Sequence, residues 1–184
     1  MQSAWNIANN KNPFLTQILK AKYYNNTSFW KANNRGTRSI FWSSILQVKE
    51  ELSANCMIQI HGGNTPIWSE PWTPLWSDIH DHLNILVTTN PLPAKVSDLW
   101  IQGTHDWDHQ LIANTFSTDF TNSVTSTQII PSDTDDILRW QPATNGQCTS
   151  KNIYLYLASQ NTEPLPPNGT RSIHPNANQI LQKA

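Results

Sequence analysis

The chain has 184 residues, of which 38% are hydrophobic, 14% are charged and nine are tryptophan, and its net charge is −1. This composition fits one compact domain whose core relies on aromatic side chains, and two lone cysteines, Cys56 and Cys148, exclude a dense disulfide framework or a four-cysteine zinc site. Since no signal-peptide pattern and no bilayer-spanning apolar stretch is present, we expect a nuclear or cytoplasmic protein that is not secreted and has no membrane partner.

The N-terminal part of the chain predicts two helices. Asn12 followed by Pro13 is a favourable helix start, and apolar residues then recur at helical spacing as far as about Tyr24. A second helix opens near Thr37 or Ser39 and continues to about residue 55. Its broad stripe consists of Phe41, Trp42, Ile45, Val48, Lys49 and Leu52.

The middle of the chain predicts a β-hairpin and an irregular connection. Ile58 and Ile60 alternate with polar residues up to the turn at residues 61–64, and Ile67 and Trp68 lie on the return strand. The proline-rich stretch that follows, residues 71–95, is expected to be irregular.

The C-terminal part predicts short helices, a second hairpin and a tail. Helices are expected at residues 96–100, 107–116 and 117–126, and the second hairpin at residues 137–149. Ser150 is expected to cap a last short helix, and the composition from residue 159 onward is typical of disorder. The predicted fold class is therefore α+β: mainly short helices with two β-hairpins and a disordered C-terminal tail.

Charge is distributed unevenly along the chain. Residues 1–49 have a net charge of +7 and contain no acid, whereas residues 50–140 have a net charge of −10. Such polarity can attract a polyanion to one end of a molecule. The candidate phosphate-contacting residues are Lys20, Lys22, Lys31, Arg35 and Arg38. The alternative interpretation is a solvated basic face, or one that attracts the acidic part of the chain.

Six short motifs follow one another in an order that resembles a known family. The first is Ala4-Trp5 with Pro13 and Leu19-Lys20-Ala21-Lys22-Tyr23-Tyr24, and the next are Trp42 with Ile45-Leu46 and Ile67-Trp68-Ser69-Glu70-Pro71-Trp72. The last are Val96-Ser97-Asp98-Leu99, Trp107-Asp108, and Leu138-Arg139-Trp140 continued by Gly146, Cys148, Thr149, Lys151 and Tyr154. Together they resemble plant LINE-type (non-LTR) retrotransposon polyproteins, in the segment between the reverse-transcriptase domain and the zinc-binding and ribonuclease H-like regions.

The resemblance implies a polyprotein fragment in three parts. These are a basic, thumb- or connection-like helical segment at residues 1–56, a tryptophan-rich region of hairpins and helices at 57–158, and the tail at 159–184. It further implies flanking polyprotein domains as partners and RNA or an RNA–DNA duplex bound by the basic segment. In this family segment the residues expected to be structural are Trp42, Trp68, Pro71, Trp72, Trp107 and Trp140.

The chain departs from the family where catalysis is concerned. A polymerase centre needs an aromatic-x-Asp-Asp hairpin and a further Asp to hold two metal ions, whereas Asp135-Asp136 has no such aromatic neighbour. We therefore expect no enzymatic activity, no catalytic residue, no metal and no cofactor. A metal-dependent nuclease that uses Asp133, Asp135 and Asp136 is the enzymatic alternative, and a solvated acidic turn is the structural one.

Three other patterns have both a functional and a structural interpretation. His80-Asp81-His82 and the His105–His109 pair could bind a divalent metal, or could be variation in linker positions. Cys148 could be a nucleophile only beside an activating base, and a small buried residue is the alternative. The tryptophans could stack on nucleic-acid bases, but their positions on apolar faces favour core packing. A host-retained protein-interaction module without nucleic-acid function is the alternative for the whole chain.

Overall fold

The structure is a computed structural model that describes residues 1–33, 39–84 and 91–160. Within these ranges there are six α-helices, two short 3₁₀ helices and two strands. The α-helices are α1 (Gln2–Ala8), α2 (Pro13–Tyr23), α3 (Ile40–Ala54), α4 (His109–Thr115), α5 (Thr118–Thr125) and α6 (Ser150–Gln160). The strands are β1 (Cys56–Gln59) and β2 (Ile137–Trp140), and the 3₁₀ helices are Trp76–His82 and Val96–Leu99. The predicted α+β class with mainly short helices is confirmed.

The helices begin where local capping chemistry allows them to begin. The side chain of Asn12 accepts a hydrogen bond from the backbone N–H of Leu15 at the start of α2, and Ser39 does the same for Trp42 in α3. Asp108 accepts from the backbone N–H of Leu111 in α4. These caps satisfy backbone donors that the first turn of a helix leaves without a partner.

Four local features differ from the sequence-based expectations. Thr149, rather than Ser150, caps α6, since its hydroxyl accepts from the backbone N–H of Asn152. Helix α1 was not predicted, and the proline-rich connection contains the 3₁₀ helix Trp76–His82. Helix α6 continues to Gln160, so residues 159 and 160 of the predicted tail are helical. The rest of the predicted tail, residues 161–184, lies outside the described residues.

The strands pair with each other across the chain instead of forming two local hairpins. Strand β1 is antiparallel to β2, with Cys56 opposite Trp140 and Gln59 opposite Ile137. The backbone N–H of Ile58 donates to Pro71 on the outer edge of β1. The two predicted hairpins are therefore wrong in their pairing. The first strand of each predicted hairpin exists, as β1 and β2, but these two strands pair with each other and not with the segments that follow their adjacent turns.

The buried residues form two core clusters. The first core cluster lies among α1, α2, α3, β1 and β2 and consists of Ala4, Trp5, Ile7, Leu19, Tyr24, Phe29, Trp30, Ala32, Trp42, Ile45, Leu52, Cys56, Leu138, Trp140 and Cys148. The second core cluster consists of Ile60, Ile67, Trp72, Ile79, Val96, Leu99, Trp107, Ile112, Phe116, Phe120 and Val124. Ile58 packs against both. The first cluster thus combines residues from both sides of the predicted boundary at residues 56 and 57.

The tryptophans proposed as structural lie in the two core clusters or pack against them. Trp42, Trp72, Trp107 and Trp140 are buried, and Trp68 is half-buried, with its indole N–H donating to the carbonyl of Pro93 at 2.8 Å. Pro71 is buried. Each helix in the described ranges is too short or too polar to cross a membrane.

Candidate nucleic-acid interface

The C-terminal turn of α2 presents Lys20 and Lys22 to solvent on a firmly held element. The ring of Tyr23 stacks on Trp42 at a centroid distance of 4.6 Å, and its hydroxyl donates to the hydroxyl of Ser39 at 3.0 Å. Tyr24 stacks on the same indole at 5.6 Å. These contacts fasten the end of α2 to the start of α3, so the two lysines extend from a fixed turn of helix.

The electrostatic surroundings of these two lysines differ. The ammonium group of Lys22 lies 5.2 Å from the ring centroid of Tyr23, an arrangement that permits a cation–π interaction and leaves the ammonium group in water. Lys20 lies close enough to Glu70 to attract its carboxylate. Both lysine side chains are exposed.

Lys31 is directed into the protein instead of toward a ligand. Its ammonium group donates to the carbonyl of Ser77 at 2.8 Å and lies 5.0 Å from the ring centroid of Trp76. Through these contacts Lys31 connects the segment after α2 to the 3₁₀ helix Trp76–His82. Arg35 and Arg38, the other two predicted phosphate contacts, lie outside the described residues.

Lys49 has an internal role that the sequence analysis did not assign. Its half-buried ammonium group donates to the carbonyl of Trp30 at 2.8 Å and to the carbonyl of Ala32, and burial lowers its pKa. The position of Lys49 within the apolar stripe of α3 could have predicted this role, because a lysine on a core-facing stripe must find hydrogen-bond acceptors inside the protein.

The apolar face predicted for α2 is largely exposed. Phe14 is 74% exposed and Ile18 is 47% exposed, and Leu19 is the buried apolar side chain of this helix. Phe14, Ile18 and Ala21 recur at the spacing of one helix face, next to Lys22. Two residues at the start of α3, Ile40 and Phe41, are also exposed. This part of the protein therefore combines exposed apolar side chains with cations.

The acidic cluster that could have been a metal site serves a different purpose. The carboxylate of Asp136 accepts hydrogen bonds from the backbone N–H groups of His61, Gly63 and Thr65, at 2.7, 2.9 and 2.8 Å, and from the Thr65 hydroxyl. Asp133 and Asp135 are exposed. Burial acts to raise the pKa of Asp136, but these hydrogen bonds outweigh it and hold the pKa below its usual value.

Gly63 fits this loop because of its backbone and its neighbours. Its φ of +67° lies in the left-handed region, and a Cβ atom at this position would come within 2.5 Å of the Trp100 ring. The loop of residues 61–65 is thus held by the Asp136 carboxylate on one side and by Trp100 on the other. The Asp136 carboxylate consequently organises this loop through hydrogen bonds, while Asp133 and Asp135 face solvent.

The segment Ile67–Trp72, called the linking segment below, connects the two core clusters. Ser28 donates from its hydroxyl to the carbonyl of Ser69 at 2.7 Å, and Trp72 donates from its indole to the carbonyl of Ile67 at 2.9 Å. Burial raises the pKa of Glu70 to about 7, against the opposing influence of a hydrogen bond from Trp30 and the charge of Lys20.

Three of the four candidate metal-binding histidines pack against aromatic rings. His80 stacks on Trp68 at 5.0 Å, His82 on Phe120 at 5.5 Å, and His105 lies 5.0 Å from Trp100. Within residues 1–33, 39–84 and 91–160, no three His, Cys, Asp or Glu side chains form a group that could hold a metal ion.

The two cysteines lie buried in the first core cluster as free thiols. Burial raises the pKa of both, that of Cys148 to about 11. A thiol with a raised pKa is protonated at neutral pH and is a poor nucleophile. Cys148 therefore behaves as a small buried side chain.

Comparison with known proteins found no matching family model, no matching curated protein and no matching solved structure.

Proposed function

We propose that this chain is a non-catalytic connecting segment of a reverse-transcriptase-like polyprotein of the non-LTR retrotransposon type, acting in the nucleus or cytoplasm. In this role it packs against flanking domains and helps to position RNA or an RNA–DNA duplex. The observation that carries the proposal is the solvent face of α2, on which Phe14 and Ile18 are exposed beside Lys20 and Lys22.

The apolar part of this face supports a flanking protein domain as a neighbour. Exposed apolar side chains at i and i+4 on one helix cost free energy in water and are typical of a surface that another protein element covers. The N-terminal helices would then lie between the flanking domain and the rest of the chain.

The basic part of the face supports contact with a phosphate backbone. Lys20 and Lys22 extend from a turn that Tyr23 and Tyr24 fix against Trp42, so their charges would meet a duplex at a defined position. We leave Lys31 out of this set because its ammonium group is bonded to Ser77. Arg35 and Arg38 stay in the set as predictions.

A titration with duplex RNA at two salt concentrations, followed by tryptophan emission, tests the nucleic-acid part of the proposal. We expect affinity to fall as salt rises, and the double variant Lys20→Gln, Lys22→Gln to bind more weakly with a salt slope smaller by about 2. The matched control is Lys95→Gln, Lys151→Gln, which removes two exposed lysines elsewhere. Equal loss in both double variants, or none in either, would contradict a role for α2.

The second candidate is a host-retained protein-interaction module, and the exposed apolar side chains of α2 and α3 favour it. In that case the variant Phe14→Gln, Ile18→Gln would abolish binding to a protein partner, while duplex RNA would bind to neither the variant nor the parent chain. Salt-dependent RNA binding by the parent chain would exclude this candidate.

A further inference from the structure

A groove lies on the outer face of the two-stranded sheet, away from the candidate interface on α2. Met57, Gln59 and Arg139 form its floor, and they share one face because Met57 lies opposite Arg139 in the register. Segments 126–130 and 141–146 form its walls. Its volume is about 470 Å³, which is within the range of small-molecule sites.

Arg139 is the single charged side chain among the described residues that line this groove. It is half-buried, and its guanidinium group makes no ion pair or hydrogen bond within residues 1–33, 39–84 and 91–160. A guanidinium group that is partly withdrawn from water and has no counter-ion can gain from pairing with an anionic acceptor, because hydrogen bonds to charged groups are stronger where water is partly excluded.

The turn after β2 packs against the guanidinium group. The backbone N–H of Trp140 donates to the carbonyl of Gly146 at 2.9 Å, and the N–H of Gly146 donates to the carbonyl of Ala143 at 2.8 Å. A Cβ atom at Gly146 would overlap Nε and Cζ of Arg139, so the guanidinium group lies directly against this glycine. The backbone of the turn therefore borders the guanidinium group on one side.

The rest of the lining supplies hydrogen bonds without charge. Four lining residues have amide or hydroxyl side chains that make no hydrogen bond within the described part of the chain: Gln59, Gln128, Gln141 and Thr144. Residues 50–140, which supply most of the lining, have a net charge of −10, so a polyanion would meet more repulsion than a ligand with a single anionic group. A ligand with one anionic group satisfies both conditions.

We propose that this groove binds a small organic anion, in which a single carboxylate or phosphate group pairs with the guanidinium of Arg139. The uncharged body of the ligand contacts the amide side chains of the groove. A guanidinium group suits this task because its planar arrangement of donors can bond two oxygens of a carboxylate or phosphate at once.

NMR titrations of the full chain with acetate, inorganic phosphate and neutral acetamide, at constant ionic strength, test this proposal. We expect saturable shifts of the Gly146 amide and the Arg139 Nε–H signals with acetate or phosphate, and none with acetamide. The anion that saturates at the lower concentration identifies the group that the site prefers. Absence of saturable shifts with both anions would overturn the proposal.

Variants of Arg139 give the second test. We expect Arg139→Gln to weaken anion binding by about tenfold or more, as loss of a charged hydrogen-bond partner requires. Lys95→Gln is the matched control and should bind as the parent does. If Arg139→Gln disturbs the fold, Arg139→Lys keeps the charge without the planar fork and should bind more weakly than the parent. Unchanged affinity in a folded Arg139 variant would remove the site.

Discussion

At the scale of single residues, Asp136 joins two distant parts of the chain. One carboxylate accepts four hydrogen bonds from a loop that lies more than seventy positions earlier in the chain, for example from His61 with a sequence separation of 75. The sequence suggested an acidic turn here because the neighbours Asp133 and Asp135 are polar. Sequence could not identify the loop as the partner, because that contact depends on the tertiary fold.

We predict that Asp136→Asn lowers the free energy of unfolding at pH 7 by about 2 kcal/mol, since an amide cannot accept all these bonds. The pKa of Asp136 is lowered in the folded state, so its stabilising effect is present above the unfolded value of about 3.9 and is lost as pH falls through the folded value. The difference between variant and parent should therefore shrink below about pH 4. Urea unfolding measures it, and the exposed Asp135→Asn serves as control.

Gly63 permits a comparison of steric clash with backbone strain. We predict that Gly63→Ala lowers the free energy of unfolding by about 3 kcal/mol or more, because a Cβ atom meets Trp100 at 2.5 Å and the φ is +67°. Gly103 has a φ of +80° and open space around its Cα, so Gly103→Ala should cost only about 1–2 kcal/mol. If thermal unfolding shows equal losses of stability in the two variants, the Trp100 ring moves aside and the predicted clash is absent.

At the scale of elements, the sequence predicts helices better than strand pairing. The bounds of α2 and α3 agree with the expected ones because Asn12 and Ser39 are local capping signals. The pairing of β1 with β2 has no local signal, since turn residues near each strand suggested hairpins. The exposure of Phe14 and Ile18 was equally unpredictable, because helical periodicity identifies a face and not what covers it. In the candidate interface, Lys20 and Lys22 are exposed as expected, but Lys31 is bonded internally.

The linking segment makes stability depend on pH through Glu70. Burial raises the pKa of this carboxyl from 4.5 to about 7. Its contribution to stability is therefore fully present below the pKa of the unfolded chain and is lost as pH rises through about 7. We predict that Glu70→Gln is more stable than the parent at pH 8 by about 1–2 kcal/mol, after allowance for solvent screening, and equally stable near pH 4. Urea midpoints across this range provide the measurement.

The exposed Glu50 offers a matched control for that comparison. Glu50→Gln should follow the pH dependence of the parent chain, because this side chain lies on the solvent side of α3. A Glu70→Gln variant that loses stability in parallel with the parent between pH 5 and 8 would show that the carboxyl is ionised without cost in the folded protein.

At the scale of the whole molecule, the two core clusters share Ile58 and are joined by the linking segment. We therefore predict a single cooperative unfolding transition. Tryptophan emission reports on both clusters, whereas labelling of Cys56 and Cys148 reports only on the first. The urea midpoints from the two methods should coincide. Thiol labelling at a lower urea concentration than the change in emission would mean that the first cluster opens on its own.

The pairing of Cys56 with Trp140 also determines the order in which the chain can fold during synthesis. The second core cluster draws on residues between Ile60 and Val124 and can be complete before β2 leaves the ribosome. The first core cluster contains residues of α1 to α3 but also Trp140 and Cys148, so its earlier residues must wait until residues much later in the chain have been synthesised. Vectorial translation thus delays the N-terminal half, and contacts of such long sequence separation make its final docking the slow step.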